Sequence, residues 1–470
     1  MQPDLLAADF QRDRGSFRDP DGYIVRRGER IFRVILPAAV ERWRQFASSG
    51  LAAELQSAGL LVPTCEVDSL VPDLQAPAGS VVLEHERIPF LSYPYEWTFA
   101  MLRDAALLQL EIMERALRHG WILKDATPYN VQFRGVTPLF IDVLSFAPLQ
   151  PGEIWAGYNQ FCRMMLYPLM LEAYKQIPFQ PWLRSELEGI DPLIFSRLFR
   201  GLQHRRPGVL THVTAQAYLQ RKFASADHSV RREIRSAGMT PQMIARNVQN
   251  LRNLVTGLHP PRQKTTWSDY SRSHYTDDAL ARKEAFVGEC VAGRQFKLVW
   301  DLGCNDGRFS RIAAASGNTV VAMDSDAGAI DRLYGELRKA SGGANILPLL
   351  MNVANPSPAQ GWAGSERVSL TERGKPVLIL ALALVHHLVI SANVPPAALV
   401  EWLAETTREL VIEFVSKEDA MVRRLLLNKD DTYADYNREA FEQYLARWFR
   451  IERRAELPGG TRVLYHAVRG

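Results

Sequence analysis

Asp301, Gly303, Asn305, Gly307 and Asp324 are the residues whose types and spacing speak most directly of chemistry. The first four stand in VWDLGCNDGRFS (299–310), where an apolar run passes through two glycines into a stretch with helical spacing. Glycine lets a backbone approach a ligand closely and take left-handed turns, and the amides that open a following helix favour an anionic group. Asp324 closes the next apolar run, TVVAMD, where a carboxylate can accept both hydroxyls of a ribose. Together these residues predict a nucleoside-binding crevice at the carboxyl ends of parallel strands. The dinucleotide fingerprint G-x-G-x-x-G is not met, because Asn305 and Asp306 occupy its spacing.

Further candidates follow the later apolar runs. His386 and His387 come just after VLILALALV (377–385), and an imidazole with an ordinary pKa of about 6.5 is a natural proton acceptor; either ring can equally serve packing or a helix cap. Glu413 in VIEFVSKED can orient a histidine or bind substrate, or be a plain strand-end carboxylate. Trp267, Tyr270 and Tyr275 precede the first run, where aromatic rings can favour a cationic ligand or pack on the sheet. The insertion NPSPAQGWAGSERVSLTERGKP (355–376) is expected as a lid or binding loop beside the crevice, with Trp362, Arg367 and Arg373 as its contacts, against the alternative of plain surface.

The elements that must position these groups are legible in the pattern. KLVWDLG, TVVAMD, NILPLLMNV, VLILALAL and ELVIEFV alternate with helical stretches, which predicts an α/β unit with a parallel sheet. FRIERRAEL, PGGT and RVLYHAV predict a closing antiparallel hairpin on its edge. The paired prolines of GLHPPRQKTT (257–266) mark the main boundary, giving domains 1–258 and 265–470. Upstream, GYIVRRGERIFRVIL predicts a hairpin with Gly28 in its turn. A helix over 99–119, the segment WILKDATPYNVQF and a strand PLFIDVLSF follow, completing an α+β domain with a helical rear portion.

Composition bounds the class. With 47% apolar residues the chain is globular. Its four cysteines are scattered without C-x-x-C pairing, so neither a disulfide framework nor a metal site is expected, and a cytoplasmic setting fits. The first residues lack the apolar core of a leader, and no apolar run reaches the ~18 residues of a membrane span; no membrane partner is expected. Residues 197–264 carry thirteen Lys or Arg, among them Arg231, Arg232 and Arg235, against Asp227 and Glu233. That segment is a candidate contact for RNA or another polyanion, or the solvated face of connecting helices.

The D-x-G-x-x-x-G spacing of Asp301, Gly303 and Gly307 resembles motif I of class I S-adenosylmethionine-dependent methyltransferases, as does the order of runs down to the reversed hairpin. The resemblance implies a Rossmann-like fold over 265–470 and S-adenosyl-L-methionine as cofactor. It also implies binding by Asp301, Gly303, Asn305, Gly307 and Asp324, with Asn352 near the adenine and His386 and His387 near the reactive methyl; Glu413 is the further catalytic candidate, from its place at a strand end. The N-P-P-Y or D-P-P-Y signature of amide and adenine N-methylation is absent. Upstream, the order Asp125, Asn130, Asp142 resembles the catalytic loop and magnesium-binding Asp of kinase-like phosphotransferases. His-Arg-Asp has become Leu-Lys-Asp, D-F-G has become Asp-Val-Leu, Arg33 stands where a strand lysine is expected and no glycine-rich loop precedes it, so the resemblance implies an inactive or repurposed kinase-like module, against the alternative of a helix-loop-strand with fortuitous Asp and Asn. Along nearly its whole length the chain is similar to a bacterial family of two-part class I methyltransferases of nodulation-related type. The expected activity is methyl transfer to an unidentified acceptor selected by the N-terminal half. The alternatives are a phosphotransferase in that half and a non-catalytic scaffold that binds S-adenosylmethionine.

Overall fold

A computed structural model describes residues 10–67, 74–223, 240–260, 275–340, 345–427 and 429–470. The first sheet is antiparallel. Its strands are β1 (Gln11–Arg12), β2 (Gly22–Arg27), β3 (Arg30–Ile35), β4 (Thr64–Glu66) and β5 (Val81–His85), in the order β1-β2-β3-β5-β4. The expected hairpin is β2 and β3, with Arg27 opposite Arg30 and Gly28 at φ 56° in the turn, the left-handed conformation that two-residue hairpin turns demand.

The helix Phe99–Arg118 follows this sheet in the chain. Thr98 caps it by accepting from the Met101 amide. Its Leu102, Ala105, Ala106, Leu110 and Met113 are buried at the three- and four-residue spacing of one helical face. The helix leads into β6 (Trp121–Leu123) and the hairpin of β7 (Val131–Arg134) and β8 (Thr137–Phe140). The segment PLFIDVLSF, expected as one strand, is divided: β8 stops at Phe140 and β9 (Phe146–Pro148) begins six residues later to pair with β6. The cause is Asp142, whose carboxylate accepts from the Leu144 amide at 3.2 Å and so favours a turn over the ladder.

The second sheet matches the expected α/β pattern. Its strands are β10 (Val299–Leu302), β11 (Val320–Asp324), β12 (Ile346–Leu350), β13 (Leu378–Ala381), β14 (Glu409–Val415), β15 (Phe449–Glu456) and β16 (Arg462–Arg469), in the order β12-β11-β10-β13-β14-β16-β15. β10 to β14 pair in parallel, while β16 is antiparallel to both β14 and β15. The chain runs outward from β10 to one side through β11 and β12, then returns to β13 on the other. That reversal opens a crevice at the carboxyl ends of β10 and β13.

The two sheets share one continuous apolar core, and polar contacts join them as well. Tyr334 donates to Asp104 at 2.7 Å, and Asp331 accepts from the Ala100 amide at 3.1 Å. The insertion 355–376 is not a lid over the crevice, as expected from its length, but a clamp on the first half. Arg373 is fully buried and grips Glu96 with two nitrogens, at 2.7 and 2.6 Å. The Val368 amide donates to Tyr93, and Arg367 lies 4.1 Å from the centre of the Tyr129 ring. These arginines find a carboxylate and an aromatic face in the first half, which holds the loop there. Trp362 stays 70% exposed.

Removing one member of a buried ion pair leaves the other charge uncompensated. Arg373→Met is therefore expected to lower unfolding stability by about 3–5 kcal/mol, measured as a fall in the urea midpoint at unchanged slope. A midpoint within error of the unaltered protein would remove the clamp from the account of stability.

Candidate functional site

A cavity of about 390 Å³ opens at the carboxyl ends of β10 to β13. Its floor is the loop after β10, in which Gly303 (φ 75°), Asn305 (φ 49°) and Gly307 (φ 72°) are all left-handed. Glycine takes this conformation without strain, and asparagine is among the few other residues that visit it routinely. The loop is tied to β11 by the Gly303 and Cys304 amides, both donating to the Met323 carbonyl. Gly303 and Asn305 line the cavity. Gly307, expected beside the ligand, does not; a Cβ there would lie 2.6 Å from Leu333, so its smallness serves the packing of the helix Arg308–Ala314 on the helix Ala327–Lys339.

Two carboxylates flank the loop within the cavity lining. Asp324 accepts from the Asn305 and Asp326 amides, each at 2.9 Å. Burial raises its pKa, and those amides partly offset the rise. Asp301, at the end of β10, is 2% exposed and accepts from the Ser310 hydroxyl at 2.5 Å. Burial pushes it up to about 7, against the opposing effects of Ser310 and the Lys283 ammonium. Asn352 lines the wall just beyond β12, its side-chain oxygen accepting from the Ala354 amide.

On the β13 side, Leu382, Ala383, Leu384 and His387 form the wall. The neighbouring histidines are separated by the fold. His387 lines the cavity, whereas His386 is fully buried and does not. A π-type turn over His387–Ser391 follows, an irregularity common at functional sites. Glu413, also expected at the reacting centre, is fully buried and outside the lining. Its carboxylate accepts from the Ala383 amide at 2.9 Å, Lys283 at 2.7 Å, the Tyr275 hydroxyl at 2.8 Å and Arg462 at 3.4 Å. Burial alone would raise its pKa, but Lys283 and Arg462 hold it below the ordinary value. Arg462 also grips Asp419 at 2.8 and 3.1 Å and contacts the Tyr275 hydroxyl.

Lys283 and Arg462, which sequence reasoning does not single out, join Tyr275 around Glu413 beside the cavity. For Tyr275 the sequence allows either packing on the sheet or a ring beside a cationic ligand; the residue lines the cavity, and the cations against its ring are Lys283 and Arg462. Lys283 reads as one more charge in a helix, and only its apolar-face position among Ala279, Phe286 and Val287 signals burial. Trp267 and Tyr270 lie outside the described residues, as do Arg231, Arg232 and Arg235 of the basic segment.

In the first half, Asn130 donates to Asp142 at 3.4 Å. Arg33 bridges Asp142 and Asp19, each at 3.2 Å, and Lys124 holds Asp21 at 2.8 Å. Asn130 and Asp142 thus converge, with an arginine already on the carboxylate. Among the described residues no group of three or more His, Cys, Asp or Glu is arranged to hold a metal, and no helix is long and apolar enough to cross a membrane.

No family model matches the chain. It is 35% identical over 458 residues to nodulation protein NoeA of Rhizobium meliloti (strain 1021), a match covering 97% of this chain and 95% of that protein. Among solved structures it is similar to magnesium protoporphyrin IX methyltransferase (ChlM) from Synechocystis PCC 6803, at 19% identity over 41% of this chain and 85% of that one, with a TM-score of 0.31. The N-methyltransferase NodS from Bradyrhizobium japonicum WM9 is similar at 13% identity over 41% and 97%, with the same TM-score. WbdD is similar at 17% identity over 40% and 39%, with a TM-score of 0.29.

Burial, reinforced by the charge of Arg462, pushes His387 down to about 4. Its ring is therefore neutral at pH 7. Since an unfolded histidine titrates at about 6.5, stability associated with His387 is complete above that pH and declines as pH falls toward 4. NMR titration of the ring, assigned by the signal lost in His387→Gln, should give a midpoint near 4; a midpoint near 6.5 would mean the ring is solvated.

Proposed function

The chain belongs to the family of nodulation protein NoeA, and from that premise we propose that it is an S-adenosylmethionine-dependent methyltransferase whose donor occupies the cavity at β10 to β13. The observation that carries this reading is the convergence of the Gly303–Asn305 loop, Asp324 and Asn352 on one cavity at the sheet's reversal point. The residues fit the donor. Gly303 gives a close backbone approach at φ 75°, Asp324 offers a half-buried carboxylate to ribose hydroxyls, and Asn352 stands beyond β12 where an adenine would lie. S-adenosylmethionine, when bound, supplies a methyl group already activated on a sulfonium.

The chain's own tasks are alignment and proton handling. Leu384, Leu388 and Leu425 in the lining keep water from the reacting groups. His387, uncharged at physiological pH although a weaker base than a solvated imidazole, accepts the proton released by the acceptor as the methyl moves. His386 and Glu413 support this wall from behind. The sheet and helices of 1–258 select and position the acceptor for the catalytic half, 265–470, through the shared core and the 355–376 clamp. A cytoplasmic setting suits the free thiols of Cys65, Cys162, Cys290 and Cys304.

Calorimetry should detect S-adenosylmethionine binding that weakens about 10- to 100-fold in Asp324→Ala, the loss of charge-assisted hydrogen bonds. His387→Gln should bind donor normally and lose about 10²- to 10⁴-fold in methyl transfer, read by mass spectrometry of extracts given isotopically labelled donor. No donor binding at millimolar concentration would end this reading. Donor binding without any labelled product would instead favour a scaffold.

A second reading, a kinase-like phosphotransferase in the first half, draws support from the contact between Asn130 and Asp142 close after Asp125. It requires magnesium-dependent ATP turnover that disappears in Asp142→Asn. Arg33 on Asp142 weighs against it, since that carboxylate already has a cation.

A further inference from the structure

We propose that the short helices of residues 191–223 form a docking surface for an anionic lipid membrane. The proposal does not depend on the donor site. Among the described residues eleven large apolar side chains are exposed, and five of them, Ile194, Leu202, Leu210, Tyr218 and Leu219, fall within this one segment. Leu202 is 75% exposed, Leu210 65% and Tyr218 63%. Apolar groups gathered so closely at a surface mark a place of contact.

The packing beneath aims these side chains outward. A π-type turn over Val209–Thr214 runs directly into the helix Ala215–Phe223. Val209, His212, Val213 and Ala217 are buried, and the ring and carbonyl of His212 are held by the Tyr158 and Tyr167 hydroxyls at 2.7 and 2.6 Å. With that side fixed inward, Leu210, Tyr218 and Leu219 face solvent. Two contacts bring the other exposed groups alongside. His204, which follows Leu202 in the turn Gly201–Arg205, meets the Thr214 hydroxyl at 3.1 Å. Asp191, the cap of the helix Pro192–Ser196 that carries Ile194, accepts from Gln220 at 3.1 Å.

The same segment holds Arg197, Arg200, Arg205, Arg206, Arg221 and Lys222 against one acid, Asp191, and all six cationic residues are exposed. Bases and aliphatic groups are therefore interspersed: Ile194 near Arg197, Leu202 between Arg200 and Arg205, Leu219 beside Arg221. A protein interface keeps charge out of its apolar centre. Nucleic-acid stacking needs a platform of aromatic rings, whereas Tyr218 is the one exposed ring among the described side chains of this segment. The boundary of an anionic bilayer takes all three kinds of group at one depth, with headgroup phosphates for the guanidinium groups, the acyl edge for the leucines and the interface itself for tyrosine. The sequence predicts no membrane partner because no apolar run is long enough to span one, and no described helix is either; a peripheral contact needs no span.

Co-sedimentation of the full chain with vesicles tests this. Phosphatidylcholine vesicles containing about 30% phosphatidylglycerol should be bound at least about tenfold more tightly than phosphatidylcholine alone, a gap that narrows as salt rises. Leu202→Ser/Leu210→Ser and, separately, Arg205→Gln/Arg221→Gln should each weaken binding to the anionic vesicles about tenfold, with an unchanged urea midpoint as the check on folding. No vesicle binding, equal binding to both compositions, or anionic binding indifferent to either pair overturns the proposal. Self-association abolished by the leucine pair would seat a second copy on this face and overturn it as well. Binding of single-stranded RNA, lost in the arginine pair, by a chain that ignores vesicles would give the surface to nucleic acid instead.

Discussion

One buried carboxylate, Glu413, ties together the elements that surround the cavity. It sits at the end of β14 with no solvent exposure, and its four donors come from four other places in the chain: Tyr275 before the leading helix, Lys283 within it, Ala383 after β13, and Arg462 at the start of β16. A charge so deeply buried persists only when its partners are all present and correctly aimed. The same requirement fixes the cavity wall. Ala383 is held left-handed, at φ 53°, with its amide directed to the carboxylate, and Leu384 and His387 project from the turn that results.

The antiparallel edge of the sheet explains why such a hub can exist. β16 lies against β14 with Glu413 opposite Leu464, which brings the first residues of β16 to the carboxyl end of β14. Arg462 therefore reaches both Glu413 and Asp419, the residue that caps the helix Ala420–Leu426. Leu425 of that helix lines the cavity. Reversing the last strand thus does more than finish the sheet: it returns a guanidinium to the place where two carboxylates need one.

Local patterns made much of this legible. The five parallel strands and the closing hairpin follow from apolar periodicity, and Gly303, Asn305 and Asp324 are recognisable because their roles depend on neighbours in the same loop or the next strand end. Glu413 was visible as a strand-end carboxylate but not as a structural hub, since its partner Lys283 is 130 residues away. His386 and His387 are adjacent in sequence, and only the turn after β13 decides which ring meets the cavity. The 355–376 insertion was misread for a related reason. Its length is a local property, whereas the carboxylate of Glu96 that captures Arg373 is 277 residues earlier. In PLFIDVLSF the apolar run concealed the power of a single aspartate to end a strand.

The clamp has a consequence for inheritance. Arg373 matches Glu96, Val368 matches Tyr93, and Tyr334 matches Asp104, each pair with one member in either half of the chain. A substitution on one side leaves its partner on the other without its match. The halves are therefore poor modules for exchange with other proteins, however separable they look in topology. A recombined chain would have to carry both faces of the seam together.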